Sequence, residues 1–205
     1  MKFSEGLQKI ISFGYLYLII LGILQESVFY QQIGINILRY STIADILISP
    51  IATLASRPIV LVSAVVLSIF SYVTTVFLSK RTHKKWMQRT FLKGKENLSE
   101  EEVGKYFTNL FVIFFAYLLL AFFLGLGLGS GSKLSEKIAS NQLEYNSKMN
   151  FNSGGTEDIY LIGTNSLYYF YFTKGNQHVK ISPIGTIKNL ELTDNKKQNE
   201  KQKSN

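Results

Sequence analysis

The sequence predicts a mostly α-helical, polytopic membrane bundle followed by a small antiparallel β module. Two uncharged apolar runs, 59–79 and 106–129, are each long enough to cross the ~30 Å hydrocarbon core of a bilayer. Only 18% of the residues are charged, below the ~25% of an ordinary soluble domain. The C-terminal part instead carries short β-branched and aromatic runs, which are typical of strands. We therefore predict a transmembrane domain over residues 1–130 and a polar part after it.

The first predicted span covers about residues 9–31. Lys2 and Lys9 precede its apolar core, as in a secretory signal peptide, but no small-x-small cleavage pattern follows. An uncleaved helix is therefore expected. Glu26 lies near the far end of this helix, and two interpretations stay open for its carboxylate: a place in the headgroup layer, or burial inside the bundle with a functional role.

The stretch 33–56 is ambiguous. Its apolar residues recur at roughly helical spacing, but Arg39 and Asp45 interrupt them, and Pro50 favours a kink or an end. The two charges are not expected to pair along one helix face. The stretch fits an amphipathic helix at the membrane interface, a re-entrant segment, or a short fourth crossing, and we favour the first two. Glu26, Arg39 and Asp45 are the candidate intramembrane polar residues.

The second predicted span, 59–79, leads into a basic loop over residues 80–98. Between positions 80 and 95 the sequence has seven Lys or Arg and no acidic residue. Such a bias in a short loop predicts a cytoplasmic location. We expect the loop to contact anionic lipid headgroups or a partner protein, and not nucleic acid, because topology already explains its charge. The candidate contact residues are Lys80, Arg81, Lys84, Lys85, Trp86 and Arg89.

The third predicted span covers about 104–128. Ser99 and Glu102 form an S-x-x-E capping box, which predicts that the helix begins before the membrane, near residue 100. Alternate glycines from 125 to 131 follow. A phosphate-binding loop would follow a strand and open a helix, so we expect these glycines to fray the helix or to permit close helix contact. Counting crossings from the basic loop predicts that the C-terminal part lies outside and, with three spans, that the N-terminus lies inside.

The C-terminal part divides into a linker, a β module and a tail. Residues 131–155 predict a linker with a short amphipathic helix, and 156–192 predict about four strands with hairpin chemistry at 174–176. Pro183 is expected at the end of an edge strand. The polar residues 193–205 predict a disordered tail.

One predicted strand, within residues 166–173, is aromatic on both faces, and both faces therefore need a cover. The covers we consider are an amphipathic helix over 133–147, a second copy of the chain, and the membrane surface. The aromatic strip is either core or a recognition surface for a partner. Its members are Tyr168, Tyr169, Phe170, Tyr171 and Phe172.

Motifs that carry chemistry are missing from the sequence. It has no cysteine, and His83 and His178 lie far apart, which leaves little material for a metal site. No H-E-x-x-H, Walker A or G-x-S-x-G pattern occurs. We therefore expect no enzyme activity, no cofactor and no metal.

Two functions fit these expectations. The first is a non-catalytic membrane scaffold or sensor whose extracytoplasmic β module binds a protein partner, within a bacterial defence or envelope assembly. The second is a pore-forming or transport-type bundle with a polar path along Glu26, Arg39 and Asp45. Because three or four helices are few for a transporter, we expect a homo-oligomer. Lys far outnumbers Arg, which favours a bacterial origin and hence the cytoplasmic membrane. In architecture the chain is similar to small multi-span membrane components of bacterial anti-phage systems.

Overall fold

The computed structural model describes residues 2–80 and 99–193, and it confirms the predicted fold class. In this part of the chain, four α-helices precede a five-stranded antiparallel sheet. The helices are α1 (Lys2–Gln31), α2 (Ile43–Ala55), α3 (Pro58–Ser79) and α4 (Glu100–Ala139).

Three of these helices are long and apolar enough to cross a membrane. The stretches that meet this condition are Ile11–Gln31, Pro58–Leu78 and Glu101–Ala139. They contain nearly all of the three predicted spans. Most of the predicted basic loop and all but the first residue of the predicted tail lie outside the described residues.

Helices α1 and α4 run side by side in the same direction. Tyr17 Oη donates a hydrogen bond to the carbonyl oxygen of Ala116 over 2.5 Å. Further along both helices, Gly127 abuts the backbone of Gln25. Because the contacts advance along the two helices together, the helices are parallel.

Two glycines of the alternating series permit this close approach. A Cβ on Gly127 would lie 2.7 Å from the carbonyl oxygen of Gln25, and one on Gly131 would lie 2.8 Å from that of Phe29. The alternate glycine just before each of them faces open space. The pair forms a G-x-x-x-G motif, which is typical of close helix crossings in membranes. Close contact is thus confirmed, and fraying is wrong, because the helix continues to Ala139.

Helix α3 runs antiparallel to α4. Leu78 near the end of α3 packs against Phe107 near the start of α4, while Leu67 and Leu119 line one crevice further along. Since α1 and α4 are parallel, α1 ends and α3 begins at the same end of the bundle. The connection that contains α2 therefore stays at that end. Its 13 helical residues also span only about 20 Å. This arrangement is incompatible with a fourth crossing by residues 33–56.

Helix α2 meets α1 where the backbone of Ile46 faces a glycine. Pro50 lies inside α2 without ending it, since the helix continues to Ala55. The missing N–H of Pro50 leaves the carbonyl group of Ile46 without its usual helical donor. That carbonyl oxygen lies so close to Gly22 of α1 that a Cβ there would overlap it. The two helices are therefore in backbone contact.

The β module is a sheet whose two edges are joined by a very short connection. The strand order is β4-β3-β2-β1-β5, and a 3-10 helix of three residues, Ile184–Thr186, links edge strand β4 to edge strand β5. The sheet must therefore curl until its edges are close. The strands are β1 (Ser147–Phe151), β2 (Thr156–Thr164), β3 (Tyr168–Thr173), β4 (Lys180–Pro183) and β5 (Ile187–Leu192).

Hydrogen bonds made by the short connection hold the curled sheet closed. The Ile184 N–H donates to the carbonyl oxygen of Leu167 over 2.9 Å, and the Asn152 N–H donates to that of Thr186 over 3.0 Å. The connection thus bridges the loops on both sides of β2. The curled sheet encloses its own core of Met149, Ile159 and Tyr171, each at most 1% exposed.

The predicted linker over 131–155 is corrected by the structure. Its first nine residues continue α4 instead of forming a separate helix, because Leu134 remains buried on the apolar side of the helix. Strand β1 also lies within the predicted linker. Its sequence SKMNF is polar apart from two residues, but it alternates, and Met149 is fully buried. The sheet therefore has one strand more than predicted.

The predicted hairpin turn and edge proline are confirmed. Gly175 has a φ of 82°, which favours glycine, and the Asn176 N–H donates to the carbonyl oxygen of Thr173 over 3.0 Å. Pro183 is the last residue of edge strand β4.

Candidate functional site at the junction of bundle and module

The β module is docked on the segment that follows α1. We call this contact the junction; it joins residues 29–45 to residues 162–181 of the module. A buried apolar cluster forms its centre, and the fully or nearly buried members are Tyr30, Ile35, Ile37 and Phe170. The module is therefore attached to the bundle by packing as well as through the chain that leaves α4.

Tyr30 packs over a glycine of β2. Its ring lies 5.2 Å from that of Phe170, and a Cβ on Gly163 would lie 2.6 Å from its hydroxyl oxygen. The pairing of β2 with β3 shifts register between Leu161 and Gly163, which is a β-bulge. A bulge and a missing side chain thus make room for the tyrosine.

The turn between β2 and β3 holds the segment before α2. Asn165 Nδ2 donates to the carbonyl oxygen of Tyr40 over 2.9 Å, and its Oδ1 accepts the N–H of Tyr168 over 2.8 Å. Ser166 donates to Asp45 from both its N–H and its hydroxyl, each over 3.0 Å. One amide and one carboxylate therefore join two parts of the chain that are more than 120 residues apart.

Asp45 also caps the start of α2 together with Thr42. Thr42 donates to this carboxylate from its N–H over 2.9 Å and from its hydroxyl over 2.7 Å, and the Asp45 N–H donates back to the threonine hydroxyl. This reciprocal arrangement is a capping box. The T-x-x-D pattern before an apolar run is the sequence signal that predicts it, and the prediction of an intramembrane charge overlooked this signal.

The ionised form of Asp45 is favoured at the junction. Partial burial raises the pKa of its carboxyl, but the hydrogen bonds from Thr42 and Ser166 lower it by more, so that the pKa lies below its ordinary 3.8. A carboxylate with a lowered pKa contributes stability above the ordinary pKa and loses it as the pH falls through the lowered one. The junction is therefore expected to weaken below about pH 4.

This pH dependence is measurable with a single thiol, because the chain has no cysteine. Ile37 is 2% exposed in the junction. In an Ile37→Cys variant, dithiodipyridine can therefore reach the thiol only when the junction opens, and the labelling rate reports that opening. Leu38→Cys, at a position that is 45% exposed, is the matched control for reagent chemistry at each pH. The ratio of the two rates is expected to rise below about pH 4.

Asp45→Asn is expected to abolish that rise. Hydrogen bonds to charged groups contribute ~1.5–3 kcal/mol, so the loss of the charge should increase the opening of the junction about tenfold at neutral pH. A ratio that rises equally below pH 4 with Asn at position 45 would assign the effect to another group.

Glu26 faces α2 within the bundle. Its carboxylate accepts a hydrogen bond from the Ser49 hydroxyl, and next to it Gln25 Nε2 donates to the Thr53 hydroxyl over 2.9 Å. The Oε1 atom of Gln25 is buried and accepts no hydrogen bond from the described residues. These polar contacts add to the backbone contact between α1 and α2.

The structure brings two of the three candidate polar residues together. Glu26 and Asp45 line one cavity of about 450 Å³ between α1, α2 and the module, which Asn165 also lines. Arg39 lines a different cleft of about 520 Å³, with His178 on its other side. Glu26 and Asp45 therefore share one cavity, while Arg39 belongs to a different cleft.

The predicted aromatic recognition surface is core in this structure. Phe170, Tyr171 and Phe172 are at most 1% exposed, while Tyr168 and Tyr169 are partly buried. Tyr169 and Tyr171 pack in the curled sheet, and Tyr168 and Phe170 pack on the segment after α1. The sequence does not predict this cover, because the segment after α1 is distant in sequence and carries no local signal for this contact.

Among the predicted contact residues of the basic loop, the structure describes Lys80, which is exposed directly after α3. The remaining ones, Arg81, Lys84, Lys85, Trp86 and Arg89, lie outside the described residues.

Comparisons with known protein families, with curated proteins and with solved structures found no match for this chain. The fold and the junction therefore define the class by themselves. It is a bundle whose three long helices have the composition of membrane spans, with a small curled β sheet docked at one end.

Proposed function

We propose that the chain is a non-catalytic scaffold or sensor of the bacterial cytoplasmic membrane, which holds its β module on the outer side for binding a protein partner. The observation that carries this proposal is the junction. Asp45 and Tyr30 connect the module directly to α2 and α1. A scaffold would use this attachment to hold the module in a fixed position, and a sensor would use it to pass the effect of a bound partner to the helices.

The outer location of the module is supported by the charge of the basic loop. This loop joins the end of α3 to the start of α4, and α1 begins at the same end of the bundle. The module packs where α1 finishes, at the opposite end. A cytoplasmic basic loop would therefore put the module outside.

The alternative of an oligomeric pore has less support from the described residues. Glu26 and Asp45 already accept hydrogen bonds from Ser49 and Ser166, and Arg39 lines a different cleft from theirs. A polar path would need these side chains in one continuous channel.

Reporter fusions and site-specific photocrosslinking in cells test the proposal together. Fusions after residues 56 and 193 are expected to report outside, and one after residue 95 inside. A photoreactive residue at Leu192, which is 68% exposed on the module, is expected to give a discrete protein adduct. The matched control is Ile59 on α3, which is 81% exposed and is expected to crosslink to lipid.

Two results would contradict the proposal. A fusion after residue 193 that reports inside would exclude an extracytoplasmic module. Protein adducts at Ile59 but none at Leu192 would assign partner binding to the helices. An adduct of twice the mass of the chain would identify a second copy as the partner.

A further inference from the structure

A polar cleft separates the loop after α1 from the turn between β3 and β4. Its volume is about 520 Å³. Arg39, Asn36 and Tyr40 line one side, and Gln177 and His178 line the other. The cleft thus presents a guanidinium, an imidazole, two amides and a phenol, all of which are hydrogen-bond donors.

The charge of this cleft is unbalanced. Within residues 2–80 and 99–193, no Asp or Glu lines the cleft and the Arg39 guanidinium makes no ion pair. The imidazole of His178 likewise makes no hydrogen bond in this part of the chain; only its backbone N–H donates, to Asn176. A cleft with an unpaired guanidinium and no carboxylate favours an anion.

The location of the cleft indicates which anion. Arg39 follows the end of the first candidate span by only eight residues, which puts the headgroup layer of a bilayer within reach of the cleft. Its neighbour Leu38 is 45% exposed, and α2 exposes Ile43, Ile48 and Ile51. Exposed apolar residues next to an unpaired arginine are typical of a surface that lies against lipid.

We propose that Arg39 and His178 form a site for the phosphate of an anionic lipid headgroup. The guanidinium fork matches two phosphate oxygens, and His178 donates to the same group from the module side. One lipid would thereby bridge the segment after α1 and the β3–β4 turn. This site lies at the opposite end of the bundle from the basic loop, and it adds a lipid contact to the junction.

Protection of a single thiol in the purified full-length chain tests this site in detergent. Gln177→Cys puts the thiol in the cleft, and Lys188→Cys on β5 is the control outside it. Dioctanoyl phosphatidylglycerol is expected to slow maleimide labelling at position 177 at least threefold and to leave position 188 unchanged. Dioctanoylglycerol, which lacks the phosphate, is expected to have no effect.

Variants of the two basic residues assign the effect. Arg39→Gln or His178→Gln, made in the Gln177→Cys chain, should raise the lipid concentration needed for half protection about tenfold, in line with the strength of charged hydrogen bonds. Arg57→Gln is the matched control, because Arg57 is also exposed near the same end of the bundle.

Unchanged protection with Gln at positions 39 and 178, or equal protection by dioctanoylglycerol, would overturn the proposal. Equal protection by inorganic phosphate at the same concentration would overturn the lipid assignment in favour of a soluble phosphate.

Discussion

Gly163→Ala is expected to open the junction, and removing the hydroxyl group of Tyr30 as well is expected to close it again. The added Cβ would lie 2.6 Å from the hydroxyl oxygen of Tyr30. The tyrosine is 5% exposed and its ring packs on Phe170, so it has little room to move. Overpacking of this kind costs ~1–3 kcal/mol. The ring carbon that carries the hydroxyl would lie 3.8 Å from the new Cβ, an ordinary contact, so Tyr30→Phe should relieve the strain.

The labelling rate of Ile37→Cys measures this effect. Gly163→Ala should raise the rate about tenfold, since ~1.4 kcal/mol corresponds to a factor of ten. The double variant with Tyr30→Phe should return to the rate of Tyr30→Phe alone. Gly185→Ala is the matched control within the module, because a Cβ there would meet none of the described residues within 4 Å. A double variant that labels as fast as Gly163→Ala would show that the tyrosine hydroxyl is not the cause.

Gly22→Ala is expected to cause a large loss of stability, because it adds a methyl group at the contact between α1 and α2. The new Cβ would overlap the carbonyl oxygen of Ile46, which is backbone and cannot rotate away. The carbonyl group belongs to the backbone of α2, which continues past Pro50 to Ala55. The helices would have to separate at their closest point, and we expect a cost of about 3 kcal/mol, at the upper end of overpacking.

Thermal unfolding in detergent, monitored by size-exclusion chromatography of the protein that remains folded, measures this loss. A cost of about 3 kcal/mol corresponds to a fall in Tm of roughly 6–12 °C for a chain of this size. Gly14→Ala is the matched control, because it lies in the same helix and a Cβ there would have no neighbour within 4 Å in the part of the chain that the structure describes. Alanine at position 14 should be neutral or slightly stabilising, since alanine favours a helix more than glycine does. Equal Tm changes at positions 14 and 22 would show that α2 does not contact α1 as described.

The sequence predicts well those features that depend on neighbouring residues. Apolar runs predict the three long helices, and the Ser99–Glu102 capping box predicts the start of α4. The turn at Gly175 and the edge position of Pro183 are likewise local. Strand β1 escapes prediction because it is short and polar, and its pairing with β5 joins segments about 40 residues apart.

The junction escapes prediction for a similar reason. Asp45 looks like an isolated charge in an apolar stretch, and only the fold shows that Ser166 is its distant partner. The contact that covers the aromatic strand β3 escapes prediction for the same reason, because the covering residues follow α1 and are distant in sequence. Helix parallelism also depends on distant contacts, such as that of Gly127 with Gln25, and it is what keeps α2 at one end of the bundle.

The sequence separation within the junction has a consequence for biogenesis. Tyr40 leaves the ribosome 125 residues before Asn165, the residue that binds its carbonyl group. At a synthesis rate of ~5–20 residues per second, this interval lasts about 6–25 s. During that time Ile35 and Ile37 have no module to cover them, although α1 is already complete. The nascent chain therefore needs the membrane surface or a chaperone to shield this apolar patch until the last strands are made.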